Sequence, residues 1–416
     1  MLFMNRPRYR IEEPPLIPEK FREFNNQVIN CEGLLNNDTS VIQDYIKNGR
    51  IVLNENLQPP LDMDCNAIKQ RVIGHKIFGS MNRSIAFVRN VHKTYRMQEL
   101  FLSMSYHPQN IYCYAIDKKS SHNFKKDMWN MASCFDNVMV MSQEFDIDSF
   151  GHGQDRAHFE CMKLILDWKW DHVLVLQNDE LIIKSPDQLA QLSDLLNITS
   201  AIGMDFPIDN SYREDADWTP KGLKLFKNES KVPPVILHRK LRIRKTWNAV
   251  MISNIFIKSV FEKLNLDGIL DVIDNNNLFG VDELLVSTLY ENYLGLDGQM
   301  ETDCEGRWAD LLVRFSFWEY YLSNTNNKIC KSKVKRHAIC VLGVEYLTDF
   351  TYLQYILVNK VIPTFDYGTV LCVKEMIENG RSAPLPSEKS LMKALPHYQE
   401  MMLKRNGTFD RNTFRC

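Results

Sequence analysis

The stretch "SIAFVRNVHKTYRMQELFLSMSYHPQNIYCYAID" (residues 84–117) decides the fold. Its first nine residues read as a strand. "KTYRMQELFLSMSY" has helical spacing, and "NIYCYAID" (110–117) is a strand again. The pattern continues downstream. "NFKKDMWNMASCF" reads as a helix, "NVMVMS" (137–142) as a third strand, "AHFECMKLILDW" (157–168) as a helix and "HVLVLQ" (172–177) as a short buried strand. Four strands alternating with three helices over mostly short connections predict βαβ units and a parallel sheet. Ligands of such sheets lie beyond the carboxyl ends of the strands. Two of those ends carry polar clusters: Asp117-Lys118-Lys119-Ser120 and Gln177-Asn178-Asp179-Glu180.

Outside this block the signals thin out. Residues 1–80, punctuated by proline and asparagine, read as a stem with short helices. One of these is "VIQDYIKNG" (41–49), which ends at Gly49 as C-terminal glycines do. After residue 200 the alternation gives way to a mixed region with a strand in "WNAVMIS" (247–253), a helix in "LFGVDELLVSTLY" (278–290) and an apolar strand in "HAICVLGVEYL" (337–347). A peripheral tail is expected after "RSAPLPSEK" (381–389). The organisation is thus a stem at 1–80, an α/β domain at 81–380 and a tail at 381–416.

A chain of 416 residues, 44% hydrophobic and 25% charged, can build a sizeable core. The formal net charge of −2 argues against a general nucleic-acid binder. "HRKLRIRK" (238–245) is basic and reads as a solvated loop or edge strand. No run of about 18 apolar residues marks a membrane span, and "MLFMNRPRYRIEEPPLIPEK" is too polar for a signal peptide. Yet ten cysteines without zinc-like spacing, and N-x-[ST] sequons at Asn37, Asn82, Asn197, Asn228 and Asn406, point to the secretory pathway.

P-loop, G-x-S-x-G and H-E-x-x-H motifs are lacking. "GHGQDR" (151–156) lacks the third glycine of a dinucleotide fingerprint, and His152 within it reads as a loop histidine. Acidic candidates for a metal or sugar-nucleotide site remain. Asp146 and Asp148 have D-x-D spacing, and Asp179 and Glu180 follow a buried strand. Asp282 and Glu283 open the apolar helix. First-turn carboxylates satisfy a helix dipole, but Glu283 falls nearly opposite Val281, Leu285 and Leu289 at about 100° per residue. Its carboxylate can face a cleft, so capping and chemistry are both open to it. Arg336 and Lys360 are late cations. "RFSFWEYYLSN" (314–324) supplies Trp318, Tyr320 and Tyr321 for core packing or for stacking on a sugar ring.

Taken in order, these motifs resemble the core-2/I-branching β-1,6-N-acetylglucosaminyltransferases, glycosyltransferase family 14. The matching segments are "HPQNIYCYAIDKKS" (107–120), "MASCFDNVMVMSQ" (131–143), "HFECMKLILDWKW" (158–170), "FGVDELLVSTL" (279–289), "RFSFWEYY" (314–321), "RHAICVLGVEYL" (336–347) and "VNKVIPTFDYGTVLC" (358–372). They are collinear from about residue 84 to 372. The resemblance implies a GT-A-like α/β fold and an inverting transfer without a metal site or cofactor, with a UDP-sugar as donor, most often UDP-GlcNAc, and a glycan hydroxyl as acceptor. It places the catalytic base on Glu283 and leaves Asp282 the helix-end role. It places donor contacts on Asp117, Arg336 or His337, and Lys360, and acceptor stacking on Trp318 and Tyr320. It implies the Golgi lumen or membrane, or secretion in the absence of the family's N-terminal anchor.

The sequence also departs from the family. The arginine expected three residues before Cys340 is displaced: His337 stands there, with Arg336 one further back. "QNDELIIK" (177–184) replaces a loop like "CGMDFPIK", so a cysteine becomes Gln177, while "GMDFPID" recurs only at 203–209. These departures keep two alternatives open: a metal-dependent transferase using Asp179 and Glu180, and an inactive secreted glycan-binding relative. The resemblance further suggests disulfides Cys31–Cys372, Cys65–Cys161 and Cys330–Cys340. Cys134, whose family partner is lost at Gln177, and Cys113, in a core strand, are expected to be reduced. Cys304 and Cys416 are expected to pair and pin the tail.

Overall fold

The computed structural model describes residues 16–25, 28–203, 212–301, 312–318, 330–410 and 413–414. Its strands are β1 (Phe21–Glu23), β2 (Arg50–Val52), β3 (Ile85–Val91), β4 (Ile111–Ile116), β5 (Val138–Val140), β6 (His172–Leu176), β7 (Leu181–Ile182), β8 (Met251–Ser253), β9 (Arg314–Ser316), β10 (Lys335–Arg336), β11 (Ile339–Cys340) and β12 (Leu357–Asn359). The central sheet has the order β5-β4-β3-β6-β8. The first four strands run parallel, and β8 closes the edge antiparallel to β6. The βαβ expectation is met: helices Tyr95–Ser105, His122–Ser133 and Gln154–Leu164 connect the strands.

Both faces of this sheet are covered, and the period-two alternation of side chains divides the core. Ala86, Val88, Cys113, Ala115, Val173 and Val175 face one layer, with Cys161 of helix Gln154–Leu164. Ile85, Phe87, Tyr112, Tyr114, Leu174 and Leu176 face the other, with Ile68, Val72 and Cys134. This division corrects the expected disulfides. Cys65–Cys161 would have to cross the sheet. Instead Cys65 bonds Cys134 on one side and Cys113 bonds Cys161 on the other, so Cys113 and Cys134 are not reduced thiols. Cys31–Cys372 and Cys330–Cys340 form as expected. Cys304 and Cys416 lie outside the described residues.

The segment before residue 81 is built into the same body. Leu34, Tyr45, Ile51 and Leu53 share a core with Leu347, Phe350, Tyr367 and Val370. Arg50 is buried there, bridging Asp366 at 2.6 Å and Glu345 at 2.9 Å. The last helices, Glu388–Ala394 and Pro396–Arg405, are not peripheral either, because Leu391, Leu395 and Tyr398 close the second layer of the core. "HAICVLGVEYL" is not one strand. Only Ile339–Cys340 is extended, and the chain then turns into a short 3-10 helix at Val344–Tyr346. The basic stretch 238–245 is not solvated throughout, since Leu241, Ile243 and Arg244 are buried and Arg244 Nε bridges Glu291 at 3.0 Å. All five sequon asparagines are exposed. Among the described residues no helix is long and apolar enough to cross a membrane.

A second sheet, β7-β12-β9, positions the site. β12 runs antiparallel to β7 and parallel to β9. It therefore brings Lys360, just past β12, beside Asp179 and Glu180, just before β7, and Arg314, the first residue of β9.

Candidate active site

Glu283 ends a 3-10 turn, Val281–Glu283, which precedes the helix Leu285–Glu291, so the expected single helix is two pieces. The turn begins at Gly280, whose φ of 71° lies in the left-handed region that glycine enters without a Cβ penalty. Gly280 and Val281 N–H groups both donate to the Phe150 carbonyl, at 2.8 and 3.2 Å. Val281, Leu285 and Leu289 are fully buried, as their spacing required. Glu283 points elsewhere: its Oε2 lies 3.1 Å from Lys245 Nζ, and Thr246 N–H donates to its carbonyl at 2.8 Å.

Asp282 does not cap the helix. Its Oδ2 accepts from Gln154 Nε2 at 3.1 Å, Gln177 Nε2 at 3.2 Å and Asn248 Nδ2 at 2.6 Å. Its other oxygen lies against Gly151, where a Cβ would come within 2.1 Å of it. Burial, then the charge of Glu283, pushes the Asp282 carboxyl up to about 7. Asp155, in the same acidic group, is raised well above the carboxylate range by burial and by Asp282 and Asp274.

The amide network leads to a group of cations. Arg314 Nη1 donates to Asn248 Oδ1 and bridges Glu180 Oε1 at 3.1 Å, with both side chains buried. Its guanidinium lies 4.6 Å from the centre of the Trp247 ring. Trp318 stacks on Trp247 at 5.3 Å with planes 5° apart. Lys360 sits among Asp179, Arg314, Arg336 and Lys93. Burial lowers its ammonium, Asp179 opposes that, and the three cations add to it. Burial alone would raise Asp179, but Lys93, His92 and Lys360 hold it below the usual carboxylate range.

The arrangement sorts the sequence candidates. Arg336 is among the charges that act on Lys360, and it ends β10. His337 and Ala338 form the left-handed turn of the β10–β11 hairpin, with φ of 51° and 62°. Asp179 and Glu180 are engaged by different partners: Asp179 by Asn178 Nδ2 at 2.7 Å and the nearby cations, Glu180 by Arg314 and the Gln177 N–H at 2.8 Å. The D-x-D pair also separates, Asp146 bridging Lys119 and Asp148 accepting from His152 Nδ1 at 2.9 Å. Asp117 is buried at the carboxyl end of β4 and accepts from the Lys119 N–H at 2.9 Å. Trp318 is half-buried and pairs with Ile339 of β11. Tyr320 lies outside the described residues.

Sequence reasoning missed Lys93, Lys245, Asn248 and Arg314 as site residues. Lys93 carried a usable signal, since it follows the carboxyl end of β3. Lys245 was hidden in a basic run, and Arg314 opened a stretch read for its aromatics.

A family model for the Core-2/I-Branching enzyme matches residues 85–350. The human beta-1,3-galactosyl-O-glycosyl-glycoprotein beta-1,6-N-acetylglucosaminyltransferase 3 is 23% identical over 371 residues, covering 84% of this chain and 82% of the relative. The mouse protein of the same name is 25% identical over 399 residues, covering 84% and 83%. A beta-1,3-galactosyl-O-glycosyl-glycoprotein beta-1,6-N-acetylglucosaminyltransferase of bovine herpesvirus 4 (strain LVR140) is 23% identical over 377 residues, covering 84% and 82%. With its parallel-rich sheet, its paired cysteines and a family match over residues 85–350, the chain belongs to the core-2/I-branching enzyme family and is a glycosyltransferase.

Proposed function

We propose that this glycosyltransferase has a GT-A-type fold and moves GlcNAc from UDP-GlcNAc to a glycan hydroxyl, forming a β-1,6 branch with inversion and without a metal ion. The observation that carries this reading is the continuous network Glu180–Arg314–Asn248–Asp282, which joins the cations around Lys360 to the turn that holds Glu283.

In an inverting transfer the acceptor hydroxyl attacks the anomeric carbon from the face opposite the leaving UDP. A hydroxyl is a poor nucleophile, so Glu283 takes its proton, help typically worth about 10²–10⁴-fold. The departing diphosphate gains negative charge. Lys360 and Arg336, with Lys93 and Arg314 behind them, supply fixed positive charge. Each cation at about 4 Å contributes roughly 4 kcal/mol of attraction at an effective dielectric near 20. Arginine adds bidentate hydrogen bonds to phosphate oxygens. Asp117 lies on the uridine side, and Trp318 offers an aromatic face to the acceptor. The acceptor class is the β-1,3-galactosyl-O-glycosyl group named for the relatives. Exposed sequons and paired cysteines favour an oxidising compartment, the Golgi lumen.

The test is transfer from UDP-GlcNAc to a β-1,3-galactosyl-O-linked glycopeptide by purified protein, with and without EDTA, with the product linkage read by NMR. The reading expects a β-1,6-linked product in both conditions. Loss of activity in EDTA, restored by manganese, would move the chemistry to Asp179 and Glu180. Glycopeptide binding with neither transfer nor hydrolysis of any UDP-sugar would identify an inactive glycan-binding relative.

A further inference from the structure

Asn248 stands where the two halves of the site meet. Its Nδ2 donates to Asp282 Oδ2 at 2.6 Å, and its Oδ1 accepts from Arg314 Nη1. The partners fix the orientation of the amide. A guanidinium only donates, so the oxygen must face Arg314, and that leaves the nitrogen to donate to Asp282. The same Asp282 oxygen also accepts from Gln154 and Gln177, and its other oxygen occupies the space that a Cβ on residue 151 would fill. Gln154 and Gln177 also bond each other at 2.9 Å. Asp282 is therefore anchored to a rigid amide frame, and Asn248 is the member of that frame that reaches Arg314. Arg314 in turn is one of the charges acting on Lys360.

We propose that Asn248 is a positioning residue that couples the donor-side cations to the base-bearing turn, so that Arg314 and the Asp282–Glu283 pair are held in one geometry. This rests on the reading of Glu283 as the base. A small misplacement of a catalytic group is costly, since errors near 1 Å can lower rates about 10²-fold. Loss of both Asn248 hydrogen bonds should therefore register mainly in kcat.

Two variants and one reference test it. Asn248→Leu keeps the branched four-atom outline and removes both bonds; kcat should fall about tenfold, with the KM for UDP-GlcNAc within about threefold of the parent. Asn248→Asp carries the distinguishing signature. Ionised, it repels Asp282. Protonated, it donates to Asp282 and accepts from Arg314, restoring both bonds. Its kcat relative to the parent should rise as pH falls from 8 to 6, whereas the Asn248→Leu ratio should stay flat. A merely structural asparagine would lower the melting temperature of both variants without a pH-dependent kcat ratio, and that result overturns the proposal, as does a parental kcat in Asn248→Leu. Glu283→Gln is measured alongside. If it retains transfer, the base reading fails; if it is inactive while both Asn248 variants match the parent, only the coupling fails.

Discussion

Arg50→Met probes whether the segment before residue 81 is structurally part of the enzyme. The Arg50 guanidinium bridges Asp366 at 2.6 Å and Glu345 at 2.9 Å, and lies 4.6 Å from the Phe365 ring centre. The side chain of Asp366 is fully buried and those of Arg50 and Glu345 nearly so, at 7% and 9% exposure. Tyr45 Oη and the Val344 N–H also donate to Asp366, at 2.8 and 3.0 Å. Methionine fills the stem volume but leaves two buried carboxylates without their counter-charge, a change that typically costs about 3–5 kcal/mol. With an unfolding entropy of about 2.1 cal/mol/K per residue, a chain of this length has roughly 0.9 kcal/mol/K, so Tm should fall by about 3–6 °C. The sign of the pH dependence follows from Asp366. Burial already raises its carboxyl and Arg50 opposes that. Without Arg50 its folded pKa rises further above the unfolded value, so the native state binds the proton more tightly than the unfolded one. The deficit is then largest above the folded pKa and shrinks as pH falls through it towards the unfolded value. Differential scanning fluorimetry of parent and variant at pH 7.5 and 5 measures both effects. A Tm within 1 °C of the parent, or a deficit that grows on acidification, would refute the reasoning.

Other outcomes follow from the same structure. Lys360→Ala should weaken UDP binding about tenfold or more and UMP binding little, because the added phosphate is what the cation faces; calorimetry compares the two nucleotides. Arg336→Ala should repeat that pattern, since Arg336 is among the charges acting on Lys360, and the same comparison on His337→Ala shows which of the two takes the place of the family's arginine. Burial lowers His158 and His172 to about 4. The unfolded chain binds their protons first, so stability contributed by each is lost as pH falls from about 6.5 to about 4, at up to roughly 1.4 kcal/mol per pH unit. His172→Asn should flatten that slope in urea titrations. Non-reducing peptide mapping should recover Cys65–Cys134 and Cys113–Cys161; a Cys65–Cys161 peptide would contradict the two-layer core.

The βαβ block was legible because its strands are buried on both faces and its helices carry a regular apolar stripe. Residues such as Ala86, Phe87, Val173 and Leu174 announce themselves by composition alone. The cysteine pairing was not legible, because it depends on which side of the sheet each residue faces. A one-residue step, as from Tyr112 to Cys113, changes that side. Glu283 was legible as a polar exception in the apolar periodicity of 278–290, although the fold splits that stretch into a 3-10 turn and a helix. The role of Asp282 was not, since its donors, Gln154, Gln177 and Asn248, come from three distant segments. Lys245 and Arg314 were hidden for a similar reason, as each sits in a local run whose ordinary explanation is sufficient until the fold supplies Glu283 and Glu180 as partners. The tail and the early segment looked peripheral because their apolar residues are sparse. A few of them, Leu34, Ile51, Leu391 and Tyr398, close the core.

The central claim is that Glu283 is the base of a sugar transfer driven from a cation-bound UDP. Its most direct test is Glu283→Gln, assayed for UDP binding by calorimetry and for transfer from UDP-GlcNAc under single-turnover conditions. The account predicts a folded protein with UDP affinity close to the parent and transfer slowed by at least about 10²-fold. Parental transfer in Glu283→Gln, or an equal loss in Asp282→Asn and Glu283→Gln with equal destabilisation of the two, would contradict it.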